Sequence, residues 1–246
     1  MEDTEGTRNL TYKEDEKSID NFYIETYYPG KIICVGMNYK SHIKEQDGRF
    51  PSKPVLFAKS NSSIIKDGEN IVYPAEVTEL DYEVELAVII GMKFKNIAGS
   101  NVSDYIYGYT IINDITARDL QKSEGQWFRA KSFDTFAPIG PVIVSKKKIS
   151  NPQNLKLKSY VNGRLRQDSN TSDMIFKIFE LISFISKSMT LEKGDLIATG
   201  TPAGVGIFTE GKKLLKPGDV ITCEIENIGR LTNQVIKDVD ILKTNK

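Results

Sequence analysis

The sequence predicts an α+β fold, a β-rich mixed roll or barrel with few helices. Segments of strand character outnumber helical ones, and they do not alternate with helices in a regular βαβ pattern. One long amphipathic helix stands out, over residues 174–189. The core is therefore expected to be mostly antiparallel.

Met1 to about Pro29 is rich in acids, with Glu14, Asp15, Glu16 and Asp20 close together, and has little apolar periodicity before Phe22. Residues 1–30 are expected to be a variable acidic leader, partly mobile at its start, and residues 31–246 the folded domain. Ile32-Ile33-Cys34-Val35 predicts a buried strand ended by Gly36, after which Asn38 can cap a helix through Gln46. Val55-Leu56-Phe57-Ala58 is another short strand. Tyr82 to Ile90 alternates, placing Tyr82, Val84, Leu86, Val88 and Ile90 on one face.

Ile106 to Ile115 predicts a second long strand, followed by a helical stretch from Thr116 to Ser123. Residues 138–144 and 155–161 read as strands, and Asn162-Gly163 signals a hairpin. In the predicted helix, Ile175, Ile178, Phe179, Ile182, Phe184 and Ile185 form an apolar stripe. Residues 195–198, 220–225 and 231–236 complete the strands, with Asn227-Ile228-Gly229 turning between the last two.

A chain of 246 residues with 39% hydrophobic and 27% charged residues suits one globular domain. Lys plus Arg and Asp plus Glu both number 33, so no global field recruits nucleic acid or anionic lipid. No apolar stretch approaches the roughly 20 residues needed to span a bilayer, and the acidic N-terminus does not read as a signal peptide. A cytoplasmic location is expected, with neither nucleic acid nor membrane as partner. Cys34 and Cys223 both sit in apolar runs outside any CxxC pair, which fits buried small hydrophobes.

Glu83 and Glu85 are two apart on the alternating strand, so their side chains leave one face about 7 Å apart. That face is either solvated or gathered around a cation. It continues as Ala87 and Ile89, where a strand meant for water more often carries Thr or Lys. Asp114 interrupts the apolar end of the second long strand, as a helix-entry cap or as a third ligand. Three carboxylates suit a hard cation such as Mg²⁺, Mn²⁺ or Ca²⁺. His42 is the sole histidine; on a helix it lies one turn from Glu45, which could orient its ring. Arg118 and Gln121 likewise share a helix face, where either could clamp a substrate's acid group. Thr201 sits in a Gly/Pro loop whose backbone can approach a ligand closely.

Together these segments resemble the fumarylacetoacetate hydrolase family. Tyr82-Glu83-Val84-Glu85-Leu86-Ala87-Val88-Ile89-Ile90-Gly91 is similar to its metal-binding strand, and Asn113-Asp114-Ile115-Thr116-Ala117-Arg118-Asp119-Leu120-Gln121 to its second signature. Lys131-Ser132-Phe133-Asp134, Ser169-Asn170-Thr171-Ser172-Asp173-Met174 and Gly200-Thr201-Pro202-Ala203-Gly204-Val205-Gly206 follow in the family's order. The likeness runs from Lys31 to near the C-terminus. It implies a β-rich roll, a homodimer, and Mg²⁺ or Mn²⁺ held by Glu83, Glu85 and Asp114. It also implies Lys131 beside the metal, Thr201 on a substrate carboxylate, and His42 with Glu45 as a catalytic pair that activates water.

The implied substrate is a small 2-oxo acid. The first expectation is hydrolysis of a C–C bond in a 2,4-dioxo acid of acylpyruvate or fumarylpyruvate type, through an enolate on the metal. Alternatives are isomerisation of a 2-oxo or 2-hydroxy dienoic diacid and decarboxylation of oxaloacetate. The segment Gly125-Gln126-Trp127-Phe128-Arg129-Ala130-Lys131 resembles family isomerases of homoprotocatechuate breakdown, part of aromatic catabolism, and the loop 122–128 is expected to select the substrate's tail. A metal-binding scaffold without turnover is the non-enzymatic alternative.

Overall fold

The computed structural model describes the backbone of residues 11–14 and 21–238, and the side chains of residues 27–238. The strands in chain order are β1 (Thr11–Glu14), β2 (Asn21–Thr26), β3 (Ile32–Gly36), β4 (Val55–Lys59), β5 (Ile64–Ile65), β6 (Ile71–Tyr73), β7 (Leu80–Asp81) and β8 (Val84–Ile90). There follow β9 (Ile106–Asn113), β10 (Thr116–Ala117), β11 (Ala137–Ser145), β12 (Lys156–Val161), β13 (Arg164–Asn170), β14 (Leu196–Ala198), β15 (Val220–Ile225) and β16 (Gly229–Lys237). Between them lie five short helices: α1 (Lys40–Glu45), α2 (Val102–Tyr105), α3 (Arg118–Ser123), α4 (Phe128–Lys131) and α5 (Ile178–Ser188).

The strands form a curled nine-stranded sheet, β1-β2-β11-β9-β8-β14-β3-β4 with β5 beside β11, and a five-stranded sheet, β13-β12-β15-β16-β6. A small ribbon pairs β10 with β7. The fold is the expected α+β roll, mostly antiparallel, with parallel pairing at β3–β14, β5–β11 and β6–β16. The leader contributes β1 and β2, which extend one edge of the large sheet through β11. The mobile start expected of it lies outside the described residues. No helix of the described residues is long and apolar enough to cross a membrane.

Strand β8 is buried on both faces, which its near-continuous apolar run allows. Val84, Leu86, Val88 and Ile90 enter the main core, where β8 and β9 pack on β12 and β15. Ala87 and Ile89 enter a second cluster with Cys34, Ile112, Leu196 and Ala198 on the opposite face. Glu83 and Glu85 point to that second side by the same period of two. The Asn162-Gly163 turn forms as predicted, both residues taking positive φ (51° and 73°) between β12 and β13.

Three local expectations are corrected. Asn38 does not cap α1; Tyr39 occupies that position, and the Ser41 N–H donates instead to Asp173 Oδ2 at 2.9 Å. The Asn38 amide is a tertiary staple: Nδ2 donates to Thr199 O (2.8 Å) and Phe176 O (3.2 Å), and Oδ1 accepts from Phe176 N (2.9 Å). The same contacts shorten the long helix. Residues 174–177 pair with the chain around Asn38 and Tyr39 through Ile175 N to Asn38 O (2.7 Å) and a Tyr39–Met174 bridge. Helix α5 therefore starts at Ile178, and it buries Ile178, Leu181, Ile182 and Ile185. Likewise Thr116 and Ala117 pair with β7, so α3 begins at Arg118.

Replacing Asn38 by Ala strands a buried N–H and buried carbonyls. The variant should lose about 1–3 kcal/mol of stability, read as a lower urea midpoint at unchanged slope. An unchanged midpoint would contradict the staple.

Candidate metal centre

The β8–β9 register sets Val84 opposite Asn113, so Glu83 and Asp114 face each other one step beyond the paired strands. Two hydrogen bonds fix this point: Glu83 N to Asn113 Oδ1 (3.0 Å) and Asp114 N to Glu83 O (2.9 Å). Glu85 follows two residues after Glu83 on the same side. The three carboxylates are 5%, 1% and 0% exposed in the order Glu83, Glu85, Asp114, so the solvated-face reading fails. One oxygen from each lies within 4.8 Å of the others. Asp114 caps no helix.

Three basic side chains meet these acids. Lys131, the last residue of α4, donates through Nζ to Glu83 Oε2 and Asp114 Oδ2, both at 2.6 Å. Arg118 reaches Glu83 Oε1 through one terminal nitrogen, Gln121 Oε1 through the other (2.9 Å) and Asp81 Oδ2 through Nε (2.9 Å). Lys59, at the end of β4, donates to Asp114 Oδ1 at 2.6 Å. Glu85 makes no ion pair among the described residues; its Oε2 accepts the Gly200 N–H at 2.8 Å.

Burial alone would raise Glu83, but Lys131 and Arg118 hold its carboxyl well below the usual range. Burial, then the charges of Asp114 and Glu83, push Glu85 well above it. Burial pulls Lys59 down against the attraction of Asp114. It opposes Lys131 too, yet Asp114 and Glu83 leave that ammonium raised. Glu85 is thus the acid that the protein's own cations leave uncompensated. Three convergent oxygen donors without histidine or cysteine could hold a hard divalent cation.

Around the carboxylates opens a cleft of about 240 Å³. Glu83, Glu85, Lys131, Arg118, Gln121 and Thr201 line it together with His42, while Val35, Phe57, Trp127 and Ile207 supply apolar wall. Such a volume lies below the roughly 300–1,000 Å³ of drug-sized sites and suits a small acid. His42, 6% exposed on α1, has Nδ1 at 2.5 Å from Glu45 Oε1. Glu45 in turn accepts the Gly204 N–H through Oε2 at 2.8 Å, and Phe208 sets its ring edge-on to the imidazole. The Thr201 hydroxyl donates to Val84 O (3.0 Å) and accepts from Gln167 Nε2 (2.8 Å). In the expected tail-selecting loop, Trp127 reaches the cleft, whereas Glu124 pairs with Arg129 outside its lining.

All nine predicted residues therefore gather at one place: seven line the cleft, Asp114 is buried beside Glu83 and Glu85, and Glu45 stands behind His42. The sequence reading missed Lys59, Asp81 and Gln167. Asp81 shares the period of two with Glu83 and Glu85 and could have been found. It accepts from Arg118, Gly206 N (2.7 Å) and Ile207 N (3.1 Å), tying the Gly/Pro loop to the ligand strand. Lys59 reads as an ordinary charged strand end, and Gln167 lies in a polar run that marks nothing.

Comparison with known proteins agrees with this geometry. Residues 31–236 match the family model described as fumarylacetoacetate (FAA) hydrolase, C-terminal. An uncharacterized protein of Methanocaldococcus jannaschii is 51% identical, over 89% of each chain. The mitochondrial oxaloacetate tautomerase Fahd2a of Rattus norvegicus is 46% identical, over 85% of this chain and 67% of its own. Among solved structures, 2-hydroxyhepta-2,4-diene-1,7-dioate isomerase from Mycobacterium marinum superposes with a TM-score of 0.77 at 42% identity, covering 86% of this chain and 76% of its own. Fumarylacetoacetate hydrolase from Exiguobacterium antarcticum gives 0.81 at 46% identity, with 86% and 76% coverage. The chain belongs to the fumarylacetoacetate hydrolase family of enzymes.

Proposed function

We propose that this protein is a divalent-metal-dependent enzyme that interconverts tautomers or double-bond isomers of a small 2-oxo diacid. Glu83, Glu85 and Asp114 would hold Mg²⁺ or Mn²⁺. The observation that carries the reading is this buried carboxylate trio, opening onto the same cleft as the chain's one histidine. Hydrolysis of a 2,4-dioxo acid stood first on sequence grounds. The tautomerase and isomerase among the relatives favour proton transfer without cleavage, and that reading takes precedence.

A bound dication supplies Lewis acidity that acidifies the carbon beside a 2-oxo group. The remaining work falls to the chain's own residues. Glu45 accepts from His42 Nδ1, which fixes the proton there and leaves Nε2 as the base. Nε2 takes a proton from the substrate carbon and returns it to oxygen, or to a carbon further along a conjugated chain. No water is consumed. Lys131 has three ammonium protons, of which two serve Glu83 and Asp114, so the third can meet negative charge developing on a substrate oxygen. Arg118 turns the Gln121 amide by binding its carbonyl oxygen, leaving the Gln121 NH₂ for a carboxylate. The Thr201 hydroxyl is committed to Val84, and its backbone N–H is the donor left for the same carboxylate.

Hydrolysis is the second reading, favoured by the His42–Glu45 contact, because that pair could equally draw a proton from water. Assays with Mg²⁺ or Mn²⁺ on enol-oxaloacetate, a 2-hydroxydienoic diacid and an acylpyruvate separate the two. Proton transfer should be the faster reaction; acylpyruvate cleavage outrunning both would favour the second reading. Replacing His42 by Ala should slow proton transfer by about 10²–10⁴-fold, and a rate near that of the parent would remove His42 from the chemistry. Glu83→Ala should abolish turnover, whereas persistent turnover in excess chelator would eliminate the metal.

The cleft wall gives a further expectation. A Cβ on Gly36 would lie 2.5 Å from the Trp127 ring, and that ring stacks edge-on against Phe57 at 5.4 Å. This fixed wall limits substrate length. Trp127→Ala should raise kcat/KM for a seven-carbon diacid relative to oxaloacetate by on the order of 10-fold. An unchanged ratio would move length selection elsewhere.

A further inference from the structure

Lys59 is absent from the cleft lining, yet its side chain is wholly buried beside the ligand set. Its ammonium donates to Asp114 Oδ1 at 2.6 Å and to Ile115 O at 3.2 Å, and among the described residues Asp114 is its only carboxylate partner. Burying an ammonium is costly unless it is paired and hydrogen-bonded. Here the one opposite charge that offsets that cost is on a ligand oxygen.

The carboxylate oxygens divide unevenly. Glu83 Oε1 accepts from Arg118 and Oε2 from Lys131. Asp114 Oδ1 accepts from Lys59 and Oδ2 from Lys131. Glu85 has one oxygen on the Gly200 N–H. Lys131 lines the cleft, so its contacts can be shared with what enters there. Lys59 has no such access, so its bond to Oδ1 is not shared with what enters the cleft.

We infer that Lys59 is a positioning residue that confines Asp114 to one-oxygen coordination and thereby sets which dication the cluster accepts. Three single-oxygen carboxylates suit a small octahedral ion such as Mg²⁺ or Mn²⁺, which keeps several waters. Ca²⁺ takes six to eight oxygens and gains from carboxylates that chelate with both. Releasing Oδ1 would let Asp114 chelate and would shift the preference toward the larger ion. The inference rests on the metal reading above and concerns the choice of ion.

The test uses Lys59→Met, which keeps the apolar stem and removes the donor. Chelator-stripped wild type and variant are titrated calorimetrically with Mn²⁺ and, separately, with Ca²⁺. The ratio of Ca²⁺ to Mn²⁺ affinity should rise about 10-fold or more in Lys59→Met, and Lys59→Arg, which keeps charge and donor, should restore it. An unchanged ratio in Lys59→Met overturns the inference alone. A wild type that binds neither ion overturns the metal reading and this inference with it. Should the buried substitutions prevent folding, a crystal structure of the wild type grown with Mn²⁺ decides. Asp114 on the ion through one oxygen, with Oδ1 still on Lys59, supports the inference; both oxygens on the ion overturn it.

Discussion

The structure around the cleft depends on a single electrostatic constraint: three carboxylates are buried within 4.8 Å of one another. Like charges so close, removed from water, repel strongly and survive only if cations are fixed among them. Around the carboxylates, and leaving the imidazole of His42 aside, the buried ionisable groups among the described residues are four acids, Asp81, Glu83, Glu85 and Asp114, and three bases, Lys59, Arg118 and Lys131. With every group ionised, one formal negative charge is left over. A bound dication would reverse that sign, and the loaded site would then favour an anionic ligand.

The backbone delivers this arrangement through register. Pairing Val84 with Asn113 brings Glu83 against Asp114, and a slip of one residue would turn Glu83 and Glu85 into the main core. The loops on either side are anchored to the same strand. Asp81 holds Gly206 and Ile207, Gln167 joins Val84 N to the Thr201 hydroxyl, and Glu85 holds Gly200. At Gly200 a side chain has no room: φ is +97°, and a Cβ would lie 2.8 Å from Asn38. Asn38, just before the helix that carries His42, thus ties the Gly/Pro loop to the segment that leads into α5.

Much of this was legible in the sequence because it is local. The period of two exposed Glu83 and Glu85 as one face, the apolar Ala87 and Ile89 argued that the face was buried, and the three-residue spacing paired His42 with Glu45. The Asn-Gly dipeptide marked its hairpin. What escaped was long-range. Asn38 looks like a helix cap, but its partners lie at Phe176 and Thr199, well over a hundred residues away. Met174 to Lys177 carries helical periodicity, yet tertiary pairing with Asn38 and Tyr39 overrides it. Lys59 and Gln167 have no local signature, since only the packed fold places their polar ends next to Asp114 and Thr201. The first choice among reactions was likewise unreadable, because one carboxylate platform with one proton-transfer residue serves cleavage and isomerisation alike.

The central claim is that Glu83, Glu85 and Asp114 converge to hold one dication. Equilibrium dialysis of the chelator-stripped protein against Mn²⁺ tests it most directly, with Glu85→Gln as the comparison, since Glu85 is the acid without an ion pair among the described residues. The account predicts one Mn²⁺ per chain in the parent and none in a folded Glu85→Gln protein. Equal Mn²⁺ uptake by the two proteins would contradict it.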